Sequence, residues 1–112
     1  MSIHHRTGTR IPLVLDVEIQ HMGKKLGTSC TRNINPYGAF IELPSEDLVI
    51  NDFVEIHFKD KQKKDSYLLQ KGLVKHRGKE GIGVLFAYDK EEFRAMLEKE
   101  MAAQKVPRVL SS

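Results

Sequence analysis

Two arginines and a carboxamide-bearing turn are the residues of this chain best suited to chemistry on an anionic ligand. Arg6 and Arg10 stand four positions apart in a stretch with no helical or strand periodicity. A guanidinium is always charged, and its planar fork of donors pairs with phosphate oxygens or with the O6 and N7 atoms of guanine. Further on comes Asn33-Ile-Asn35-Pro-Tyr-Gly38, which offers two amide carbonyls and a glycine.

The elements that must position these residues are read from alternating apolar and polar side chains. Such alternation predicts six short strands separated by turn-forming residues. The predicted strands begin near Leu13, Leu26, Ala39, Val54, Tyr67 and Ile82. In the second strand, the pattern puts Leu26, Thr28, Cys30 and Ile34 on one face. Residues 21–25 are predicted to form the first hairpin turn.

Three local features refine this prediction. Pro36 is expected to set φ in the turn that follows the second strand, and Gly38 to permit a positive φ or a close approach. Gly72 lies near the middle of the long fifth strand and predicts a bulge or bend there. Lys59 to Asp65 carries four lysines and two aspartates, which is typical of a solvated hairpin tip.

The last predicted element is a helix near the C-terminus. Asp89 with Glu92 three residues later resembles a capping box, and Tyr88 with Phe93 fits a hydrophobic staple. Phe93, Met96, Leu97 and Met101 then form an apolar stripe at helical spacing. The sequence predicts that the helix stops at Val106-Pro107. The predicted fold is therefore mainly β, a small six-stranded antiparallel barrel closed by a C-terminal helix.

The bulk properties narrow the classes of function. The chain has 112 residues, a net charge of +3 and a pI near 9.0, which favours a small anionic ligand without requiring nucleic acid. No apolar segment is long enough for a membrane span, and the single cysteine, Cys30, suits a reducing cytoplasm. No metal-ligand spacing, catalytic set or cofactor motif is present in the sequence. We therefore predict a cytoplasmic binding module and not an enzyme.

The arginine pair followed by the turn resembles the PilZ family, whose signature is RxxxR and then [D/N]xSxxG. The resemblance covers nearly the whole chain and implies a six-stranded split barrel with a C-terminal helix. It also implies a bacterial receptor for the second messenger cyclic di-GMP, contacted by Arg6, Arg10, Asn33, Asn35 and Gly38. Asn33 and Asn35 can each offer a carbonyl acceptor to guanine. The chain departs from the signature at Asn35, where the family usually has serine.

This resemblance implies two segments and two possible functions. Residues 1–10 are predicted to be a flexible arm carrying the arginines, and residues 11–112 a single barrel domain. The arm would close over the nucleotide and pass a signal to an unidentified downstream protein. The alternative is an adaptor of the same fold that binds proteins and no nucleotide, which the departure at Asn35 favours. An RNA-binding barrel has little support, because aromatic residues are only 7% of the chain and most fall at core-facing positions.

The residues that lie near these motifs have both structural and functional interpretations. The arginine pair alone is typical of solvated charge, and the asparagine-rich segment alone is typical of a turn. His4 and His5, beside Arg6, are either ligand neighbours or solvated arm residues. Lys75, His76, Arg77 and Lys79 form a basic strand end that either widens the anionic-ligand surface, binds a partner or is simply a solvated hairpin.

Overall fold

The chain folds into a closed antiparallel barrel with one helix packed against it, as the sequence predicts. The structure, a computed structural model, describes residues 10–43, 48–60 and 66–104. Within those ranges the elements are β1 (Asp16–His21), β2 (Lys24–Asn35), β3 (Gly38–Ile41), β4 (Phe53–Asp60), β5 (Ser66–Arg77), β6 (Ile82–Phe86) and α1 (Glu91–Ala103). The strands are ordered β1-β2-β3-β6-β5-β4, and β4 pairs with β1 to close the barrel.

The inward faces of the strands form one apolar core. Leu13, Leu15, Val17 and Ile19 are buried, as are Val54, Ile56 and Phe58 on β4 and Ile82, Val84 and Phe86 on β6. The helix seals this core with Phe93, Met96 and Leu97, all predicted by their helical spacing. The ring of Phe93 lies edge-on to those of Phe58 and Phe86, with ring centroids 4.9 and 5.2 Å apart, the arrangement that aromatic quadrupoles favour.

The first predicted strand begins later than its alternation suggests. Leu13 and Leu15 face the core, but regular pairing starts only at Asp16. In the segment before Asp16, the side chain of Thr31 on β2 makes hydrogen bonds with the backbone. Its hydroxyl accepts a hydrogen bond from the Leu15 amide at 2.9 Å and donates one to the Leu13 carbonyl at 2.7 Å. A bridge between Ile11 and Ile34 then fixes the residues that follow Arg10 against the barrel.

The hairpin turn predicted at residues 21–25 is confirmed. His21 pairs with Lys24, and the two residues between them, Met22 and Gly23, have φ of 53° and 77°. Positive φ at both central positions matches the right-handed twist of the flanking strands.

The predicted faces of β2 are wrong. Thr28 is exposed, whereas Thr31, Ile34 and Asn35 are buried. The cause is two register shifts, one beside β1 between Ile19 and Gln20 and one beside β3 after Thr31. Because side chains alternate with a period of two, each extra residue moves the following ones to the opposite face.

Gly72 does not mark a bulge, which is a second correction. It pairs regularly with Val54 and Phe86, and the register shift of β5 lies after Val74. A Cβ at Gly72 would lie 2.5 Å from the Leu85 carbonyl oxygen. Glycine is therefore needed for the close approach of β6. The solvated hairpin tip predicted from Lys59 to Asp65 is wrong for its first two residues, because Lys59 and Asp60 end β4 and Asp60 is buried. Residues 61–65 lie outside the described residues.

The helix begins two residues after Asp89, so the predicted capping box is wrong. Its N-cap is Lys90, which makes no side-chain capping bond. Tyr88 is 59% exposed, which also argues against the staple. The helix ends at Ala103, and the predicted stop at Val106-Pro107 lies outside the described residues. Within the described chain, no helix is long and apolar enough to cross a membrane.

Candidate functional site

The turn between β2 and β3 is held from within by Asn35. Its carboxamide oxygen accepts hydrogen bonds from the backbone amides of Tyr37 at 2.7 Å and Gly38 at 2.9 Å. A carbonyl oxygen has two lone pairs, and both are thus engaged inside the turn. This oxygen therefore has a structural role in the turn, and contact of Asn35 with a guanine stays a prediction. Asn35 shapes the turn, and the side chain is 6% exposed.

Gly38 is required for clearance and not for an unusual backbone conformation. Its φ is not among the positive values of the described residues, so that part of the prediction is wrong. A Cβ at this position would lie 2.5 Å from the Val84 carbonyl oxygen and 3.2 Å from Nη2 of Arg10. The close-approach prediction is right, because strand β6 and the Arg10 guanidinium both occupy the space that a side chain would need.

Arg10 is thereby placed against the turn. The residue as a whole is exposed, yet partial burial of its guanidinium lowers the pKa of Arg10. An arginine remains protonated under such conditions. A charged fork consequently lies directly over β3, where it can meet an anion approaching the sheet. Arg6, the first arginine of the pair, lies outside the described residues, as do His4 and His5.

Asn33 presents an acceptor with no donor. It pairs with Phe40 across β2 and β3 and is half-buried. Its Oδ1 atom is buried and makes no hydrogen bond. Most buried polar atoms in proteins are satisfied, so an exception of this kind needs an explanation. The atom belongs to one of the residues predicted to bind, two positions before Asn35, which begins the turn against which Arg10 lies.

The sequence also matches a known protein family. The model of the PilZ domain matches residues 4–102, which is most of the chain. The chain belongs to the PilZ domain family. PilZ domains are in general receptors for cyclic di-GMP and are typically receptor or adaptor domains. No curated protein matches the sequence significantly.

Two solved structures resemble this PilZ domain in fold. One is the PilZ domain of CeSA from a cellulose-synthesizing bacterium, with a TM-score of 0.64 and 15% identity over 87% of this chain and 99% of that one. The other is the Bacillus subtilis inhibitor of motility, MotI/DgrA, with a TM-score of 0.59 and 15% identity. That match covers 86% of this chain and 49% of the inhibitor.

A contact between the turn and the helix was not predicted from the sequence. Arg94 of α1 donates from Nη2 to the Tyr37 hydroxyl at 2.9 Å, and its guanidinium lies 5.4 Å from the centre of that ring. Asp89, the residue predicted as a cap, accepts from Nε and Nη2 of Arg94 at 2.6 and 2.8 Å. These hydrogen bonds lower the pKa of Asp89 and raise that of Arg94. The signature turn of this PilZ domain is therefore tied to its helix.

Arg32 was also missed, although it directly precedes Asn33. Its guanidinium lies 4.7 Å from the centre of the Phe40 ring. Glu42 accepts from Nε at 2.9 Å and Glu80 accepts from Nη1 at 2.8 Å. The hydrogen bonds to Glu42 and then Glu80 raise the pKa of Arg32. Two carboxylates and an aromatic ring thus hold this cation in place at the border of the candidate site.

Two hollows on the surface of the described residues lie away from most of the candidate site. A groove of about 180 Å³ runs between the turn and the helix. It is lined by Ile11, Ile34, Asn35, Pro36, Arg94, Leu97, Glu98 and Met101. A larger cleft of about 300 Å³ includes Asp16 and Glu18, two carboxylates that would repel an anion. Of the predicted binding residues, Arg10, Asn33 and Gly38 line neither hollow, whereas Asn35 lines the groove. In the described residues no three His, Cys, Asp or Glu side chains are grouped to hold a metal.

Proposed function

We propose that this protein is a cyclic di-GMP receptor that binds the nucleotide on the outer face of β2 and β3. The observation that carries the proposal is the placement of Arg10 over Gly38, beside a strand whose Asn33 has a buried and unpaired carbonyl oxygen. Cyclic di-GMP brings phosphate oxygens that suit the guanidinium and guanine N–H groups that suit the amide carbonyl. Arg6 is proposed to join Arg10 at the ligand.

The departure at Asn35 now carries less weight for the adaptor alternative. Its oxygen caps two backbone amides of the turn, a task that a serine hydroxyl also performs, though more weakly. Asparagine at position 35 is therefore compatible with the turn that a serine would form. This removes the one feature of the sequence that favours an adaptor without a nucleotide.

We further propose that the ligand draws the arm, residues 1–10, against the sheet and that the output passes to a partner protein through the helix. The hydrogen bonds that Arg94 donates to the Tyr37 hydroxyl and to Asp89 support such a route. A ligand that moves the turn would have to stretch or break them. The energy for this change comes from contacts that the ligand makes only in the bound arrangement.

Titration calorimetry with cyclic di-GMP tests the proposal. Wild-type protein should bind, and Arg6→Ala or Arg10→Ala should weaken binding at least tenfold, about 1.4 kcal/mol, since a hydrogen bond to a charged group contributes roughly 1.5–3 kcal/mol. Lys24→Ala is the control, because it removes a cation from the far end of β2. The site would be refuted if the wild type does not bind, or if both arginine variants bind with the affinity of the wild type.

Hydrogen exchange tests the movement of the arm separately. Amides of residues 1–10 and of the turn from Asn35 to Gly38 should exchange more slowly with saturating ligand, while α1 should change less. Protection of the arm that is already complete without ligand would contradict the ordering step. It would leave nucleotide binding itself intact.

A further inference from the structure

One row of cross-strand neighbours runs from Asn33 across the outer face of the barrel. Asn33 pairs with Phe40 on β3, Phe40 with Gly83 on β6, and Gly83 with His76 on β5. Three strand spacings separate the two ends of the row, about 14 Å. His76 belongs to the basic strand end that the sequence left with several interpretations.

A bulge sets each end of this row. The register of β2 shifts between Thr31 and Asn33, and that of β5 shifts between Val74 and His76. Thr31 and Val74 both face the core. Without the extra residue in each strand, alternation would turn Asn33 and His76 inward as well. Bulges commonly re-aim side chains near functional sites, and here two of them direct a polar side chain to the same face.

On β6 the row has no side chain of its own, and His76 extends over it. Gly83 has no side chain, and a Cβ there would lie 3.2 Å from Cβ of His76 and 4.0 Å from its Cγ. His76 therefore lies across β6 toward Phe40, and the two ring centroids are 6.3 Å apart with a tilt of 45°. Arg32, also beside Phe40, is held by Glu42 and Glu80. His76 is exposed, and its imidazole is available to a ligand.

We propose that Phe40 and His76 form the subsite for the second purine of a bound cyclic dinucleotide, with the first purine held at Asn33. This inference rests on the proposed function and extends it to residues outside the family signature. The aromatic ring supplies an apolar surface for the base. The imidazole supplies a hydrogen-bond donor for the N7 or O6 edge of guanine. Asn33 and His76, about 14 Å apart, can therefore contact two separate bases, with Phe40 lying between them.

The test is calorimetry with cyclic di-GMP on His76→Ala, with Lys79→Ala as the matched control. Lys79 is an exposed cation three residues further along the chain, so it reports the effect of charge alone. His76→Ala should weaken binding at least fivefold, and Lys79→Ala less than twofold. Phe40→Leu keeps an apolar side chain but no ring and should weaken binding in the same direction.

A double-mutant cycle separates the two ends of the row. Sites more than about 7–10 Å apart are usually additive, so the fold-losses of Asn33→Ala and His76→Ala should multiply in the double variant. A loss no greater than that of the stronger single variant would place both residues at one base and overturn the second subsite. On saturation with ligand, the His76 Hε1 resonance should also shift more than that of His21, which lies on β1.

Failure of the inference and failure of the proposed function give different results. If Arg10→Ala weakens binding while His76→Ala leaves it within twofold, the second-purine subsite is refuted and the receptor stands. If the wild-type protein does not bind cyclic di-GMP at all, the receptor is refuted, and the subsite with it.

Discussion

Asn33→Ala should weaken ligand binding without destabilising the ligand-free protein. The carboxamide oxygen of Asn33 is buried and has no hydrogen-bond partner. A buried acceptor left unsatisfied costs about 1–3 kcal/mol. Alanine removes that cost, together with a modest amount of packing from a half-buried side chain. The free energy of unfolding of the ligand-free protein should therefore stay the same or rise by up to about 1 kcal/mol.

The same substitution should weaken cyclic di-GMP binding by about tenfold. Without the carbonyl, guanine N–H groups at this position lose their acceptor and are buried unpaired, which costs about 1–3 kcal/mol. A loss of 1.4 kcal/mol corresponds to a tenfold change in the dissociation constant. Urea unfolding followed by circular dichroism measures the first effect, and calorimetry measures the second.

Asn33→Asp is the matched partner of this variant. A carboxylate accepts stronger hydrogen bonds than an amide, so ligand affinity should rise. A charge at a half-buried site without a donor should at the same time lower the stability of the free protein. If Asn33→Ala destabilises the free protein by more than about 1 kcal/mol and leaves affinity unchanged, the carbonyl has an intramolecular role. The reasoning on the site would then be wrong.

Two further substitutions test other parts of the fold. Gln70 is fully buried beside Ile56, and neither polar atom of its amide makes a hydrogen bond, so Gln70→Met should raise the free energy of unfolding by about 1–3 kcal/mol. A loss of stability in urea unfolding would contradict this. The control is Gln20→Met, because Gln20 is half-buried and donates a hydrogen bond to Glu18. Asn35→Ser keeps an oxygen that can cap the turn, so calorimetry should show cyclic di-GMP affinity that is equal or higher, and a clear loss would mean that asparagine makes a contact of its own.

The positions of the strands were predictable because alternation of apolar and polar residues is a local property. Which residues of β2 face the core was not predictable in the same way. Its middle carries neighbouring polar residues, such as Thr28 and Ser29, that do not distinguish inside from outside. The bulge after Thr31 is set by the pairing register with β3, in which Thr31 faces Ile41 and Asn33 faces Phe40. A bulge of this kind is a feature of strand pairing, and the amino-acid types in the strand do not reveal it. Local sequence therefore predicts the strand and misses its faces.

The start of the helix shows the opposite difficulty. Asp89 followed by Glu92 satisfies a capping pattern on local grounds. In the folded chain the carboxylate of Asp89 is engaged by Arg94, five residues later. A bidentate pair with a guanidinium competes with weaker capping bonds to backbone amides. The pattern was consistent with the sequence, but a second partner within reach changed the outcome.

The candidate site was predictable mainly through the resemblance to a known signature. Local chemistry alone indicates that Asn35-Pro36 begins a turn, and an asparagine before such a turn commonly bonds to backbone two residues on. The position of Arg10 over Gly38 is next to the bridge between Ile11 and Ile34, which holds the following residues against β2. The bond from Arg94 to Tyr37 joins residues 57 positions apart. Contacts of this length have no signal in a single sequence.

The two ways in which the helix is attached suggest where a signal would emerge. Phe93 packs against Phe58 and Phe86 inside the barrel and is 1% exposed, so displacing it would cost several kcal/mol. The contact between the helix and the turn is a part-buried hydrogen bond from Arg94 to Tyr37, and a hydrogen bond to a charged group contributes about 1.5–3 kcal/mol. When a ligand moves the turn, the contact at Tyr37 should therefore yield before the aromatic anchor does. The expected output is a changed surface around Arg94 on a helix that stays docked.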